Sequence, residues 1–164
     1  MSKKALEFSI RMGRMEDRSV LRQLFADTIS ASCRNEYDDA QINAWLSGAD
    51  HPDFLLSMLE NQHVIIAENR EELIGFCSLA GHSYVDYLYV HKDYQKEGVA
   101  KALYLVVEKV ASSLSTNELT ADVSLTAVSF FENVGFRIKS EQKVVRLGIE
   151  IKNFSMVKSI KKEK

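Results

Sequence analysis

The most informative segment of the chain reads Leu88-Tyr89-Val90-His91-Lys92-Asp93-Tyr94-Gln95-Lys96-Glu97-Gly98-Val99-Ala100. Its first residues alternate as a strand does, and its end opens a strongly amphipathic helix pattern, from about Glu97 to Leu114. The first backbone N–H groups of a helix have no intrahelical acceptors and lie at the positive end of the helix dipole. The turn between strand and helix is therefore a candidate phosphate site, where Gly98 allows the backbone to approach an anion closely.

A second block follows further along the chain and reads Ala127-x-x-x-Phe131-Glu132-x-x-Gly135-Phe136. It predicts a short helix, a glycine stop and a strand. The first block is neither a P-loop, since no Gly-Lys-Ser/Thr follows, nor a dinucleotide fingerprint, since it holds a single glycine.

The rest of the chain predicts alternating helices and strands around these two blocks. The expected helices begin at Glu16-Asp17, at Asp38 or Asp39 with a stop at Gly48, at Asp53 (to Leu59) and at Thr126 (to Asn133). The expected strands are residues 6–12, 64–67, 73–79, 84–90 and 119–123, with two more between Phe136 and Ile160. Nothing resembles a linker, so we expect one mixed α/β domain over residues 1–164.

Composition excludes several classes of protein. A formal net charge of −2 argues against nucleic-acid binding, which depends on positive charge. No window has the eighteen or more apolar residues of a membrane span, so no membrane partner is expected and a soluble, cytoplasmic protein is predicted. Cys33 and Cys77 form no disulfide framework, and the four scattered histidines give no metal spacing, so no metal is expected.

The two blocks together resemble the GNAT superfamily of acetyl-CoA-dependent N-acetyltransferases. Its hallmark is a strand, a Gln/Arg-x-x-Gly-x-Gly/Ala turn, a long helix, and a shorter helix that ends in Gly-Phe. The turn here is Gln95-x-x-Gly98-x-Ala100. The resemblance extends over nearly the whole chain, and Tyr37–Trp45 and Asp86–Val90 look closest to a little-studied bacterial subgroup. It implies a mixed, mostly antiparallel central sheet of about seven strands, flanked by helices.

The resemblance also implies where acetyl-CoA, the expected co-substrate, binds. Its pyrophosphate would lie on the backbone amides of the turn, and its pantetheine arm would pair with the strand before the turn. A bulge in that strand would direct a backbone N–H at the thioester oxygen. The implied cofactor-binding residues are Leu88, Tyr89, Val90, Gln95, Lys96, Glu97, Gly98, Val99, Ala100, Lys101, Ser124, Ala127 and Phe131.

The chain departs from the family at the position of the usual proton donor. A tyrosine four residues before the glycine of Gly-Phe normally protonates the leaving thiolate, and that position is Phe131. Ser124 likewise replaces an asparagine that is common in the family. Ser129, a nearby tyrosine or water would then protonate the thiolate. We expect Phe131 to be an apolar wall of the pantetheine site.

Two residues are candidates for a catalytic role. Asp86 shares strand parity with Leu88 and Val90, so it is a candidate base, or else a solvated residue at the start of a strand. Tyr37 lies where family members often shape the acceptor pocket, so it orients the amine or simply covers the core.

The acceptor is expected to be a small-molecule or peptide amine. Six carboxylates in residues 31–60 would form an acidic rim that attracts cations, unless they serve only as helix caps and surface residues: Glu36, Asp38, Asp39, Asp50, Asp53 and Glu60. The alternative function is a non-catalytic acyl-CoA-binding module. Either a monomer or a homodimer is compatible with the sequence.

Overall fold

The computed structural model describes residues 4–160 and folds them into a seven-stranded mixed sheet with helices on both faces. The strands are β1 (Ser9–Met12), β2 (His63–Asn69), β3 (Glu72–Ala80), β4 (Tyr84–Val90), β5 (Glu118–Ser124), β6 (Arg137–Arg146) and β7 (Ile149–Ser159). The helices are α1 (Arg18–Ser32), α2 (Asp39–Leu46), α3 (Leu56–Asn61), α4 (Val99–Ser113) and α5 (Val128–Asn133). The predicted fold class and strand number are confirmed.

The strands lie in the order β1-β2-β3-β4-β5-β7-β6, and all neighbours are antiparallel except β4 and β5. β4 and β5 are parallel because α4 connects them, returning the chain across one face of the sheet. The hairpin of β6 and β7 then completes the sheet beyond β5. The parallel pair is thus the central seam of the sheet.

Hydrophobic side chains pack on both faces. On one face, α4 buries Val99, Leu103 and Val107 against β3 and β4, as its predicted apolar stripe requires. On the other face, α1 and α3 pack through Leu21 and Met58, and α2 packs nearby. Complete burial of a side chain such as Leu103 stabilises the fold by about 1.5–3 kcal/mol.

Several element boundaries differ from the predicted ones, each for a local reason. α4 begins at Val99 rather than Glu97, because Gly98 has a left-handed φ of 86° that a helix cannot include. α3 begins at Leu56 rather than Asp53, after the left-handed Leu55 (φ 65°). The expected stop at Gly48 is wrong, since a 3₁₀ turn continues to Asp50.

The N-terminal elements also start later or differ in type. β1 begins at Ser9 rather than residue 6, because its pairing with β2 starts there. The helix expected from Glu16-Asp17 begins as a 3₁₀ turn (Met15–Asp17) and becomes α1 at Arg18. α5 begins at Val128, two residues after the expected Thr126. Of the two capping candidates, Asp38 is the N-cap of α2 and accepts the Gln41 N–H at 2.8 Å.

Candidate active site

The central seam of the sheet opens along its length. β4 and β5 pair only at Tyr84–Thr120 and Val85–Ala121. Beyond Val85 the two strands part, so the β5-facing edge of residues 88–90 has no strand partner among the described residues. An extended ligand can add its own backbone to such an edge.

A β-bulge in β4 accompanies the opening. Cys77 pairs with Leu88 and Leu79 with Val85, so two residues of β4, Asp86 and Tyr87, lie opposite the single Ser78. The Tyr87 N–H donates to Ser78 Oγ at 3.2 Å. A bulge of this kind bends a strand and redirects its groups, and it lies directly before the segment expected to hold the pantetheine arm.

The bulge also overturns the parity argument for Asp86. Val85 and Leu88, three residues apart, both pack in the core on the α4 side of the sheet. Regular alternation therefore does not continue through Asp86 to Leu88, because the bulge inserts an additional residue. Asp86 nevertheless lines the cavity described next.

A cavity of about 290 Å³ lies where the strands part. Its walls come from β4 and β5, from the ends of β6 and β7, and from α1, α2 and α5. Aromatic side chains dominate the walls, and three charged side chains join them: Asp86, Asp122 and Arg146. Pockets for small ligands commonly combine apolar walls with a few such polar groups.

Asp86 is half-buried and is held by one side chain. Gln62 Nε2 donates to Asp86 Oδ2 at 2.8 Å. Burial raises the pKa of Asp86 above its ordinary value, the Gln62 hydrogen bond opposes that rise, and the charge of Asp122 adds to it. A carboxylate with a raised pKa inside a cavity is suited to accept a proton.

Asp122 lies on β5 across the opening. It accepts the Tyr84 hydroxyl at 2.8 Å and Gln142 Nε2 at 2.6 Å. Burial, followed by the hydrogen bond to Asp122, raises the pKa of Tyr84. Sequence reasoning missed Asp122, although it alternates with the predicted site residue Ser124 on the same strand.

Tyr37 is buried, and its hydroxyl already has two partners. It donates to the Lys152 carbonyl at 2.5 Å and accepts the Leu125 N–H at 3.0 Å. The ring also packs edge-on against Trp45. These contacts join the loop before α2 to β7 and to the loop after β5. Tyr37 also lines the cavity, but the engagement of its hydroxyl by two backbone groups favours the alternative in which it covers the core.

The predicted phosphate turn follows β4 and a 3₁₀ turn at Lys92–Tyr94. Gln95 Nε2 donates to the Val90 carbonyl and to Ser32 Oγ, each at 3.0 Å. The Gln95 side chain thus fixes the turn against the end of β4 and against α1, and its role is to position the turn.

Gly98 caps α4 with a φ of 86°, and a Cβ built on it would meet nothing within 4 Å. The Ala102 N–H donates to the Gly98 carbonyl at 3.0 Å, which makes it the first helical hydrogen bond. The N–H groups of Val99, Ala100 and Lys101 therefore have no hydrogen-bond acceptor within the helix. Open space beside such a helix start fits a phosphate group.

The remaining predicted cofactor residues lie on the cavity wall. Ser124, Ala127 and Phe131 all line it. Phe131 is 5% exposed and makes edge-on contacts with Phe130 and Phe136, at centroid distances of 5.6 and 5.1 Å. Its place in the wall is compatible with the expected apolar contact to the pantetheine arm.

Of the alternative proton donors, only the tyrosines reach this cavity among the described residues. Tyr84, Tyr87 and Tyr89 line it, whereas Ser129 is exposed on α5 and lies outside its walls. Burial raises the pKa of Tyr87 and of Tyr89 above the ordinary tyrosine value. Each of these hydroxyls therefore remains protonated near neutral pH and can donate.

The six carboxylates expected to form an acidic rim do not line the cavity in the described part of the chain. Asp38 caps α2, Asp39 pairs with Arg34 at 2.8 Å, and Glu36 accepts the Thr126 hydroxyl at 3.1 Å. These contacts favour the alternative in which the carboxylates are caps and surface groups. The carboxylates of the cavity itself are Asp86 and Asp122.

Residues 4–160 contain no cluster of three or more His, Cys, Asp or Glu side chains that could hold a metal ion. Within the same residues, every helix is too short or too polar to cross a membrane.

The model of the acetyltransferase (GNAT) domain family matches residues 33–158 of this chain. The chain is 33% identical over 133 residues to the uncharacterized N-acetyltransferase YafP of Escherichia coli (strain K12), covering 81% of this chain and 83% of that protein. It is 27% identical over 141 residues to the peptidyl-lysine N-acetyltransferase YjaB of the same strain, covering 85% and 89%.

Solved structures give the same result. A GCN5-related N-acetyltransferase from Rhodopseudomonas palustris, also described as an aminotransferase of class II, superposes with a TM-score of 0.90 at 31% identity. The match covers 98% of this chain and 99% of that one. The PaiA N-acetyltransferase from Thermoplasma acidophilum, solved in complex with coenzyme A, shares the fold at 20% identity with a TM-score of 0.78, covering 94% and 100%.

Proposed function

The chain belongs to the GNAT superfamily of acetyltransferases, and from this premise we propose that it transfers an acetyl group from acetyl-CoA directly to an amine. The acceptor is a small-molecule or peptide amine, and residues 1–164 act as a single acetyltransferase domain. The cavity at the parted strands β4 and β5 is the active site. The cytoplasmic location and the monomeric or homodimeric state stay predictions.

Coenzyme A binds along a path from the turn at residues 95–101 to the cavity. The space beside Gly98 and the N–H groups at the start of α4 suit its pyrophosphate. The open edge of residues 88–90 suits the pantetheine arm, and Phe131 supplies an apolar wall near its end. The bound co-substrate supplies the acetyl group as an activated thioester.

In the transfer, the amine nitrogen forms a bond to the acetyl carbon and the bond from that carbon to sulfur breaks. The nitrogen loses a proton, and Asp86 accepts it, directly or through water, because its pKa is raised and it lines the cavity. Gln62 holds the carboxylate in place. A backbone N–H near the bulge at Asp86 and Tyr87 stabilises the negative charge that develops on the acetyl oxygen.

The leaving sulfur departs without help from residue 131, since phenylalanine has no proton to give. A thiol has an ordinary pKa of about 8.5, so a thiolate is an acceptable leaving group near neutral pH. Protonation from water, or from a tyrosine hydroxyl of the cavity wall, completes the reaction.

One observation carries this proposal: the half-buried Asp86 and the open edge of β4 share one cavity, and the phosphate-type turn follows the same strand.

The test is coenzyme A release from acetyl-CoA in the presence of an amine panel that includes lysine peptides and small amines, with mass spectrometry of the products. We expect amine-dependent thiol release and an acetylated product. Saturable acetyl-CoA binding without thiol release from any amine would instead support the acyl-CoA-binding module.

A further inference from the structure

The cavity carries charges of both signs, and the proposed function gives a role only to the negative charge. Asp86 and Asp122 bring two carboxylates, whereas Arg146 brings a guanidinium. The inference that follows rests on the proposed acetyl transfer and concerns what Arg146 binds.

Arg146 ends β6, is exposed and lines the cavity. Its backbone pairs with Ile149 of β7, but its guanidinium makes no ion pair or hydrogen bond with any group from residue 4 to residue 160. A Cβ built on Gly48 would lie 4.0 Å from Arg146 Nη1, so the guanidinium lies beside the 3₁₀ turn that follows α2. Its charge lowers the pKa of Tyr87 and Tyr89, opposing the effect of burial, which places the charge near the aromatic wall.

Three other arginines of the chain have clear structural partners. Arg11 binds Asp17 and Glu68, Arg34 binds Asp39, and Arg18 donates to the carbonyls of Pro52 and Phe54. Arg146 lines the active-site cavity with its donors unused. A guanidinium presents five N–H donors in a planar fork that matches a carboxylate or phosphate.

Other groups of the cavity are suited to an ammonium or amine. Asp86 and Asp122 supply negative charge, and Asn153 adds a neutral polar side chain. An amine nitrogen, with up to three N–H donors, can bind both carboxylates.

We propose that the acceptor substrate is an amine that also carries a carboxylate or phosphate, with the nitrogen on the Asp86 side and the anion on Arg146. Aromatic walls between the two ends, including Tyr87 and Trp45, contact the part of the substrate that joins them. Arg146 is then a specificity-determining residue, because it selects among amines and takes no part in breaking or forming bonds.

The test compares matched amines that differ only in the anion. Unbranched ω-amino carboxylates of increasing length are compared with alkylamines of the same length, and 2-aminoethyl phosphate with ethanolamine, by initial rates of coenzyme A release. We expect the anionic amine to be preferred at one chain length, mainly through a lower KM. The carboxylate and phosphate arms then distinguish the two kinds of anion.

Three variants test the assignment to Arg146. Arg146→Gln should reduce the preference ratio by about 10- to 100-fold, the value of one charged hydrogen-bonded contact. Gly48→Asp places a carboxylate beside the guanidinium and should also lower the preference ratio, because that carboxylate competes with the anion of the substrate. Arg137→Gln removes an exposed arginine from the other end of β6, outside the cavity walls, and should leave the ratio unchanged.

Two results would overturn the inference while the proposed acetyl transfer stands: equal kcat/KM for anionic and plain amines in the native protein, or a ratio that Arg146→Gln does not change. Acetyl-CoA binding without turnover of any amine would overturn the proposed function and this inference together.

Discussion

Replacing Gly98 by glutamate tests the proposed phosphate site most sharply. Gly98 has a left-handed φ of 86°, and no atom lies within 4 Å of a Cβ built there. The Cβ would therefore clash with nothing in the protein, and the main cost to folding is the conformational strain. That strain is about 1–2 kcal/mol, against a typical domain stability of about 5–15 kcal/mol. The variant should fold.

The effect on coenzyme A binding should be much larger. The glutamate side chain would occupy the space assigned to the pyrophosphate and would add a like charge. Losing one charged hydrogen bond alone costs about 1.5–3 kcal/mol, or roughly 10- to 150-fold in Kd. Because repulsion adds to that loss, we expect binding to weaken by at least about 100-fold, measured by calorimetry with coenzyme A.

The matched control is Gly81→Glu. Gly81 also has a left-handed φ, of 57°, with no atom within 4 Å of a built Cβ, but it lies in the turn between β3 and β4, at the other end of β4. The melting temperature of Gly81→Glu should fall about as far as that of Gly98→Glu, because the backbone strain is comparable. Its affinity for coenzyme A should stay native. A folded Gly98→Glu protein with native affinity would refute the assignment of the turn.

Substitutions at three further positions separate catalytic from structural roles. Phe131→Ala should weaken acetyl-CoA binding more than Phe131→Tyr changes the rate of transfer; a rate gain of about tenfold or more in Phe131→Tyr would contradict the apolar-wall role. Gln62→Ala removes a bond that stabilises the charged carboxylate of Asp86, so its pKa should rise and the acid limb of the kcat/KM profile should move to higher pH; an unmoved limb would exclude Asp86 as the base. Tyr37→Phe should lower the free energy of unfolding in urea by about 1–3 kcal/mol with little change in kcat, whereas a large loss of kcat at native stability would show a catalytic role.

The fold could be predicted from sequence because its signals are local. The start of α4 shows as a strand, a glycine turn and an apolar stripe, and the short α5 shows as a pattern that stops at Gly135. Two helix starts and the alternation of β4 differ from the prediction where single residues change the backbone. Gly98 and Leu55 adopt left-handed conformations that move a helix start, and the bulge at Asp86-Tyr87 interrupts alternation.

The acceptor side of the site could be predicted only in part. The sequence indicates Asp86 through its parity with Leu88 and Val90, and the residue does line the cavity although the bulge interrupts that parity. Arg146 and Asn153 reach the cavity only because the β6–β7 hairpin folds back beside β5. Sequence spacing carries no sign of that approach, since these contacts join residues far apart along the chain. The burial of Tyr37 against β7 and the loop after β5 likewise depends on residues far apart along the chain.

Transfer of a labelled acetyl group tests the central claim most directly. Acetyl-CoA labelled at the carbonyl carbon is mixed with excess protein and an amine substrate, and the carbon is followed by NMR. Direct transfer predicts that the thioester signal decays and an amide signal grows at the same rate, matched by free thiol. A thioester signal that persists while acetyl-CoA is bound, with every amine of the panel present, would contradict the account.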